Sequence, residues 1–468
     1  MGFSVTPLLI VALMLLAATG LDWNADLAWY DQNRIEQIGL LSTTALSGLT
    51  IWRHDVAQSI TNLPCRVRWA FAWAFWLGLL SAVIAVYPRF AILEWATLLL
   101  LLGLVLLLGE QSRRDASRFD IWAIRLVVSL AVVITLKLLT GYLAALIAVG
   151  RLDTIMLFEG AFSNRRFFGQ VASMAVPLLA YPLLKSDASR LPRWGLYALL
   201  SVWWMLIIVS GTRGTWVALV AASVVLALVA WRTCYQWLRI QVLTAMAGAL
   251  LFGVMFVWVP SWLGQGASVE NRLSNLATLS GRHELWRLAW MQIAAHPWLG
   301  IGPMHLATIR NEFGAHPHNA LLQLAAEWGI PATLGLVLPA VAGLIVLLAD
   351  LRRPAVSHNF LLVCLTASLL AAGVQSMVDG VIVIPYTQVW LVLIVGWALG
   401  VHFRDKVKVV AASRLICLVV PTLTLGALVA LLNGVYPEIL NRTEATKAFV
   451  DAGNSLVPPR YWAVGWIP

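Results

Sequence analysis

A succession of apolar stretches, each near the ~20 residues needed to cross a hydrocarbon core, leaves this chain few folds. They lie near 4–20, 37–52, 69–87, 91–109, 122–147, 170–184, 195–211, 215–231, 240–259, 328–349, 359–376, 388–402 and 415–435. Inside lipid the backbone has no water to bond, so runs of this kind must be helices whose hydrogen-bond ladders close internally. The composition fits only that solvent. Of 468 residues, 60% are hydrophobic and 12% charged, against about 25% charged in a soluble domain. The expected fold is therefore all-α, a polytopic integral membrane protein with about 12–13 transmembrane helices.

Orientation follows from the basic loops, which stay in the cytoplasm. Arg53, Arg66 and Arg68 follow the second stretch, and Arg113, Arg114 and Arg118 the fourth. Lys185, Arg190 and Arg193 follow the sixth, Arg232 and Arg239 the eighth, and Arg352 and Arg353 the tenth. Arg404, Lys406, Lys408 and Arg414 follow the twelfth. With alternating spans, all fall on one side, and the N-terminus is inside. The net charge of +10 is accounted for by this topology, so nucleic acid is not an expected partner. The opposite side receives 148–169, the short turn at Arg213, the long loop 260–327, 377–387 and the tail. Four regions result: N-terminal transmembrane helices (1–259), an outer loop with short helices (260–327), C-terminal transmembrane helices (328–435) and an outer tail (436–468).

The outer face carries arginines against the topological bias: Arg151, Arg165, Arg166, Arg213, Arg272, Arg282, Arg287 and Arg310. Long loops tolerate such charges, but Arg213 sits in a very short turn. A guanidinium stays charged at any working pH and grips phosphate oxygens through two parallel hydrogen bonds. Ser210-Gly211-Thr212-Arg213-Gly214-Thr215 and Ser280-Gly281-Arg282 suit that task, because flanking glycines let backbone approach a ligand. The alternative reading of each is a lipid-headgroup or loop-stabilising arginine, as interfacial arginines commonly are.

Within the long loop the pattern predicts a helix over 282–296. Gly281 is at its N-cap, Glu284 in its first turn, and Leu285, Leu288, Ala289 and Gln292 or Ile293 lie on one face. Pro297 and Gly300 end it. A second helix is expected to start near Pro317 and run past Trp328 into the next span. His316-Pro317-His318-Asn319 offers an imidazole at the membrane edge, and histidine titrates nearest neutrality. His318 can take a proton from a hydroxyl, with Asn319 holding its tautomer; alone it reads as well as a structural or capping histidine. On a helix His316 and His318 would face apart. They lack the i, i+4 spacing of a zinc pair, and no Cys/His spacing reads as a metal site. Lys137 falls mid-span, where a lysine costs roughly 2.5–3.5 kcal/mol; Glu94 is expected at the interface.

Taken in order, several segments resemble the O-antigen ligase superfamily of membrane glycosyl transferases. They are Phe162-Ser163-Asn164-Arg165, Ser210-Gly211-Thr212-Arg213-Gly214, Ser280-Gly281-Arg282 through Trp286, and His296-Pro297 with Gly300-Ile301-Gly302. His318-Asn319 and Glu327-Trp328-Gly329-Ile330-Pro331 complete the set. The resemblance implies a GT-C-type fold in a bacterial inner membrane, with its site facing the periplasm. It implies an undecaprenyl-diphosphate-linked glycan donor, attacked with inversion and without a metal or other cofactor. By the same matching, Arg213 and Arg282 would hold the diphosphate and His318 would be the base. Arg165, Arg166, Arg287, His316 and Asn319 are the expected substrate-binding residues. The His-Pro-His-Asn form, Ser376-Met377-Val378-Asp379-Gly380, Ile384-Pro385-Tyr386-Thr387-Gln388 and the tail Pro459-Arg460-Tyr461-Trp462 are most similar to the pilin O-oligosaccharyltransferases. The implied acceptor is then a pilin serine or threonine, with lipid A-core sugar or another lipid-linked repeat as alternatives. A transporter or flippase is the reading from outside this class. It would be expected to show interrupted spans in paired halves and polar groups at the midplane.

Overall fold

The computed structural model describes residues 6–20, 22–24, 26–50, 53–149, 154–185, 192–264, 281–353, 360–404, 413–453 and 459–467. Arg151, Arg190, Arg272, Ser280, Lys406 and Lys408 lie outside them. No strand occurs among the described residues. The protein is an all-α polytopic membrane protein. In chain order its helices are α1 (Thr6–Gly20), α2 (Trp29–Thr50), α3 (Arg53–Asn62), α4 (Cys65–Ile84), α5 (Pro88–Arg114) and α6 (Ala116–Ala144). Then come α7 (Thr154–Phe162), α8 (Arg165–Leu179), α9 (Tyr181–Leu184), α10 (Arg193–Ser210), α11 (Arg213–Phe252) and α12 (Val259–Trp262). The outer loop supplies α13 (Arg282–Ala295) and α14 (Ala320–Trp328). The chain closes with α15 (Ile330–Leu351), α16 (Phe360–Ser376), α17 (Pro385–Phe403), α18 (Arg414–Ile439) and α19 (Arg442–Asp451).

Nine described helical runs are long and apolar enough to cross a membrane, and α1 and α16 are shorter apolar helices. The expected spans at 215–231 and 240–259 fall in one run, Arg213–Trp262. Ala230 breaks it with φ −146° and ψ 46°, and the chain folds back. Thr233 donates to the Leu351 carbonyl at the end of α15 (3.0 Å), whereas Met255 accepts from Tyr142 at the far end of α6 (2.5 Å). The expected span at 37–52 is the apolar half of α2. Its other half buries Asp31, Gln32, Asn33, Arg34 and Gln37 inside the protein.

The run Arg165–Leu184 is almost wholly buried, while α15 and α18 turn most of their surface outward. Outward leucines such as Leu334, Leu338 and Leu418 suit lipid. Close packing comes from small residues, as it must where lipid removes the hydrophobic drive between helices. Gly396 and Gly400, four apart on α17, let α5 approach. A methyl on Gly400 would lie 2.4 Å from Ser112 Cβ, and one on Gly396 2.8 Å from Leu108 Cβ.

The two ends of the bundle differ. At one, Arg114 pairs with Asp55, Arg404 with Asp120 (2.6 Å) and Arg353 with Asp350 (3.1 Å). These are residues of the loops expected in the cytoplasm. At the other end of α5, the Tyr87 amide donates to His305 Nε2 (3.0 Å), and the outer-loop helices pack there. Lys137 lies within the span Ala116–Ile147 and finds a polar partner there. Its amine meets the Thr19 carbonyl (3.4 Å) at the C-terminus of α1, where a helix dipole favours a cation.

The expected helix from Pro317 through the next span is two helices. Gly329 separates α14 from α15 with φ +80°, and the Ile330 amide donates to the Pro297 carbonyl (2.8 Å). A methyl on Gly329 would sit 2.3 Å from the Trp298 carbonyl oxygen. Gly329→Ala is therefore expected to destabilise the protein by about 1–3 kcal/mol, as overpacking and left-handed backbone strain do. Thermal melting of the detergent-purified protein reads the loss.

Candidate functional site

Three helices begin at one pocket, each with an arginine as its first residue. Arg165 opens α8, Arg213 opens α11 and Arg282 opens α13. Local sequence explains each start. Asn164 caps α8 by accepting the Arg166 amide (2.9 Å). Gly211, in the left-handed region at φ +60°, ends α10, and Thr212 precedes α11. Gly281, at φ +74°, begins α13, and Leu285, Ala289 and Ile293 bury the face of that helix expected from sequence.

The pocket is lined by Arg165, Arg166, Gly211, Thr212, Arg213, Gly214, Arg282 and Asp379. Helix N-termini expose unpaired amides and a partial positive charge. A cation there opposes the dipole, costing about 0.3–1 kcal/mol at exposed positions. Repeating that arrangement three times makes a site fit for an anion with several oxygens. Asp379 is the one carboxylate among the lining residues. Its Oδ1 accepts the Gly380 amide (2.9 Å) and its Oδ2 the Gln375 side chain (3.2 Å). Burial raises its pKa, against the pull of Arg166 and Arg282. Burial lowers that of Arg282, opposed by Asp379 and reinforced by Arg166 and Arg213. Arg282 Nε is buried without a hydrogen-bond partner among the described residues.

His318 stands beside this pocket, with Nδ1 3.9 Å from Asp379 Oδ1, too far for a hydrogen bond. That nitrogen is also buried and unpartnered among the described residues. The backbone of His318 is left-handed, φ +52°, which is uncommon for a non-glycine residue and concentrates at functional sites. The conformation overturns the expectation that the two histidines face apart. Their rings meet at 4.1 Å and 64°, and the His318 amide donates to His316 Nδ1 (3.3 Å). Burial, then Arg166 and Arg282, lower the His318 pKa to about 3. Burial, then His318, Arg460 and Arg166, carry that of His316 well below the usual value. Both imidazoles are neutral at pH 7, the form that can accept a proton.

Arg165, Arg166, Arg213, Arg282 and His318 are thus brought together. Arg287 is not among the lining residues: its side chain is 58% exposed and bonds Glu284 (2.8 Å). His316 lies behind His318, against Gly380. Asn319 does not hold the His318 tautomer. Its Oδ1 accepts the Leu322 amide (3.0 Å) and its Nδ2 donates to the Met377 carbonyl (3.0 Å), so it caps α14 and ties it to the 377–384 segment. Asp379 was not singled out as a site residue from sequence. It stood only within the segment Ser376–Gly380, and gains meaning once four arginines line the same pocket.

Two of the three pocket-opening arginines, with both histidines, lie in one stretch of chain that a family description covers. Residues 196–337 match the O-antigen ligase family. The matched segment includes Arg213, Arg282, His316 and His318; Arg165, Arg166 and Asp379 come from outside it and complete the pocket. The match supports a membrane enzyme that transfers a glycan, as an O-antigen ligase does. No curated protein matches the chain.

Proposed function

We propose that this protein transfers a preassembled oligosaccharide from undecaprenyl diphosphate to an acceptor hydroxyl at the periplasmic face of the inner membrane. The observation that supports this most is the meeting of three arginine-headed helix N-termini beside a neutral imidazole. The acceptor oxygen attacks the anomeric carbon from the face opposite the diphosphate, forming one C–O bond as the sugar–phosphate bond breaks. Configuration inverts. The hydroxyl proton passes to His318, and the departing diphosphate carries its charge into the guanidinium groups of Arg213 and Arg282, with Arg165 and Arg166 adjoining. Preorganised positive groups aimed at developing charge act as an oxyanion site does. They take the part a divalent ion would otherwise play, so the transfer needs no metal. Asp379 steadies the imidazolium that forms.

The acceptor we infer is a pilin serine or threonine, on the similarity of the His-Pro-His-Asn form, 376–380, 384–388 and 459–462 to pilin ligases. A second reading, lipid A-core sugar, is favoured by the O-antigen ligase match itself. The test is transfer by purified protein supplied with lipid-diphosphate glycan and offered pilin and lipid A-core in parallel. Glycosylated pilin is expected. Product only on lipid A-core replaces the acceptor, and no product on either, with polymerised glycan instead, points to a polymerase. Movement of the lipid-linked glycan across liposomes without transfer would overturn the enzyme reading.

A further inference from the structure

The C-terminal segment 459–467 is built into the protein rather than laid against it. Arg460, Tyr461, Trp462, Ala463 and Ile467 are each no more than 4% exposed. The polar half of α2 holds it: Arg34 Nε donates to the Tyr461 carbonyl (2.9 Å), and Asp31 accepts the Ala463 amide (2.6 Å). Arg460 Nη2 donates to both oxygens of Glu94 (2.9 and 2.8 Å) and pairs with Glu327. Glu94, expected at the interface, lies in the second turn of α5 and is an ion-pair partner of Arg460.

Glu327 connects this cluster to the site. Its Oε1 accepts the Leu306 amide (3.1 Å), and its carbonyl accepts the Gly302 amide (2.9 Å). It lies one residue from the C-terminal end of α14, while His318 stands two residues before the first residue of that helix. A second bond, from the Ile467 amide to the Ala307 carbonyl (3.3 Å), fixes the same turn. One short helix therefore has the imidazole at one end and an arginine-bound carboxylate at the other.

We propose that Arg460 is a positioning residue for the transfer step: through Glu327 it locks α14 and the 302–307 turn, and so sets where His318 stands relative to Arg282 and Asp379. This rests on the transfer reading above. A buried ion pair is weak grounds for a stability role, because replacing both partners is often neutral while removing one strands a charge. That asymmetry shapes the test. Arg460→Lys keeps the charge but not the planar fork, and Glu94→Gln, Glu327→Gln and Arg460→Gln together leave none of the three partners charged.

Both variants are compared with wild type for kcat, donor KM, melting temperature and the stabilisation given by inorganic diphosphate. Expected are at least a tenfold fall in kcat, donor KM within twofold and an intact diphosphate shift, since the arginine pocket is untouched. Folded variants with kcat within twofold of wild type overturn the proposal. So does joint loss of kcat and the diphosphate shift, which marks general damage, or failure of both variants to fold, which makes the segment a folding element. Absence of transfer by the wild type in the same assay sinks the transfer reading instead.

Discussion

Replacing His318 by alanine is expected to slow glycan transfer by about 10²–10⁴-fold, the usual worth of a positioned general base, without loss of membrane insertion or donor binding. The side chain packs against the His316 ring but leaves one ring nitrogen unused. Its Nδ1 has no hydrogen bond among the described residues, and its backbone amide bonds His316. The damage should therefore appear in kcat, with donor KM nearly unchanged. Near-normal transfer by His318→Ala with His316 intact would refute the base assignment.

The pH dependence carries a second signature of the same residue. Protonation destroys the base, so activity is lost as pH falls through its pKa. In the free protein that pKa is lowered to about 3 by burial, Arg166 and Arg282. The acid limb of kcat/KM, which reports the free enzyme, should thus lie far below the ordinary histidine range near pH 6.5. A bound diphosphate offsets the two arginines, so the limb of kcat should lie higher than that of kcat/KM. The linkage to stability has a definite sign. The folded pKa lies below the unfolded one, so the stabilisation from the neutral ring is complete above about pH 6.5 and is lost as pH falls towards the folded value. His318→Ala should flatten the melting temperature over that acid range.

The long apolar runs declared the architecture because lipid permits one solution for the backbone, and basic loops sorted its ends before any coordinates. The break at Gly329 was less legible, since Ile330-Pro331 reads as the start of a span and nothing local says the preceding helix is separate. Arginines placed against the topological bias were the best guide to the site. Arg287 shows where that guide fails: it shares the outer helix with Arg282, yet three residues' separation from Glu284 gives it a surface partner. The place of Asp379 beside four arginines and the reach of Arg460 depend on chain segments far apart in sequence. The His316–His318 ring contact is local, but it needs a left-handed histidine, which no propensity argument for a non-glycine residue would supply.

Arg282→Ala is the change expected to separate catalysis from stability most sharply. Transfer should fall by about 10²–10³-fold, as when one preorganised charge-stabilising group is removed. Melting temperature should hold or rise, because the guanidinium is desolvated and has no partner for Nε among the described residues, and the repulsion of Arg166 and Arg213 works against the pull of Asp379. Such a charge, set against a helix dipole, is a cost that a stable fold alone would not keep; functional sites commonly retain it. Inorganic diphosphate gives the direct reading of its purpose. At about a hundred times its Kd a ligand stabilises the folded state by ~2.7 kcal/mol, so wild type should melt higher with diphosphate and Arg282→Ala should not respond. Arg282→Lys should fall between them, since an ammonium keeps the charge but cannot grip two oxygens in parallel. If Arg282→Ala instead melts well below wild type and still gains from diphosphate, the arginine braces α13 and the anion is held elsewhere.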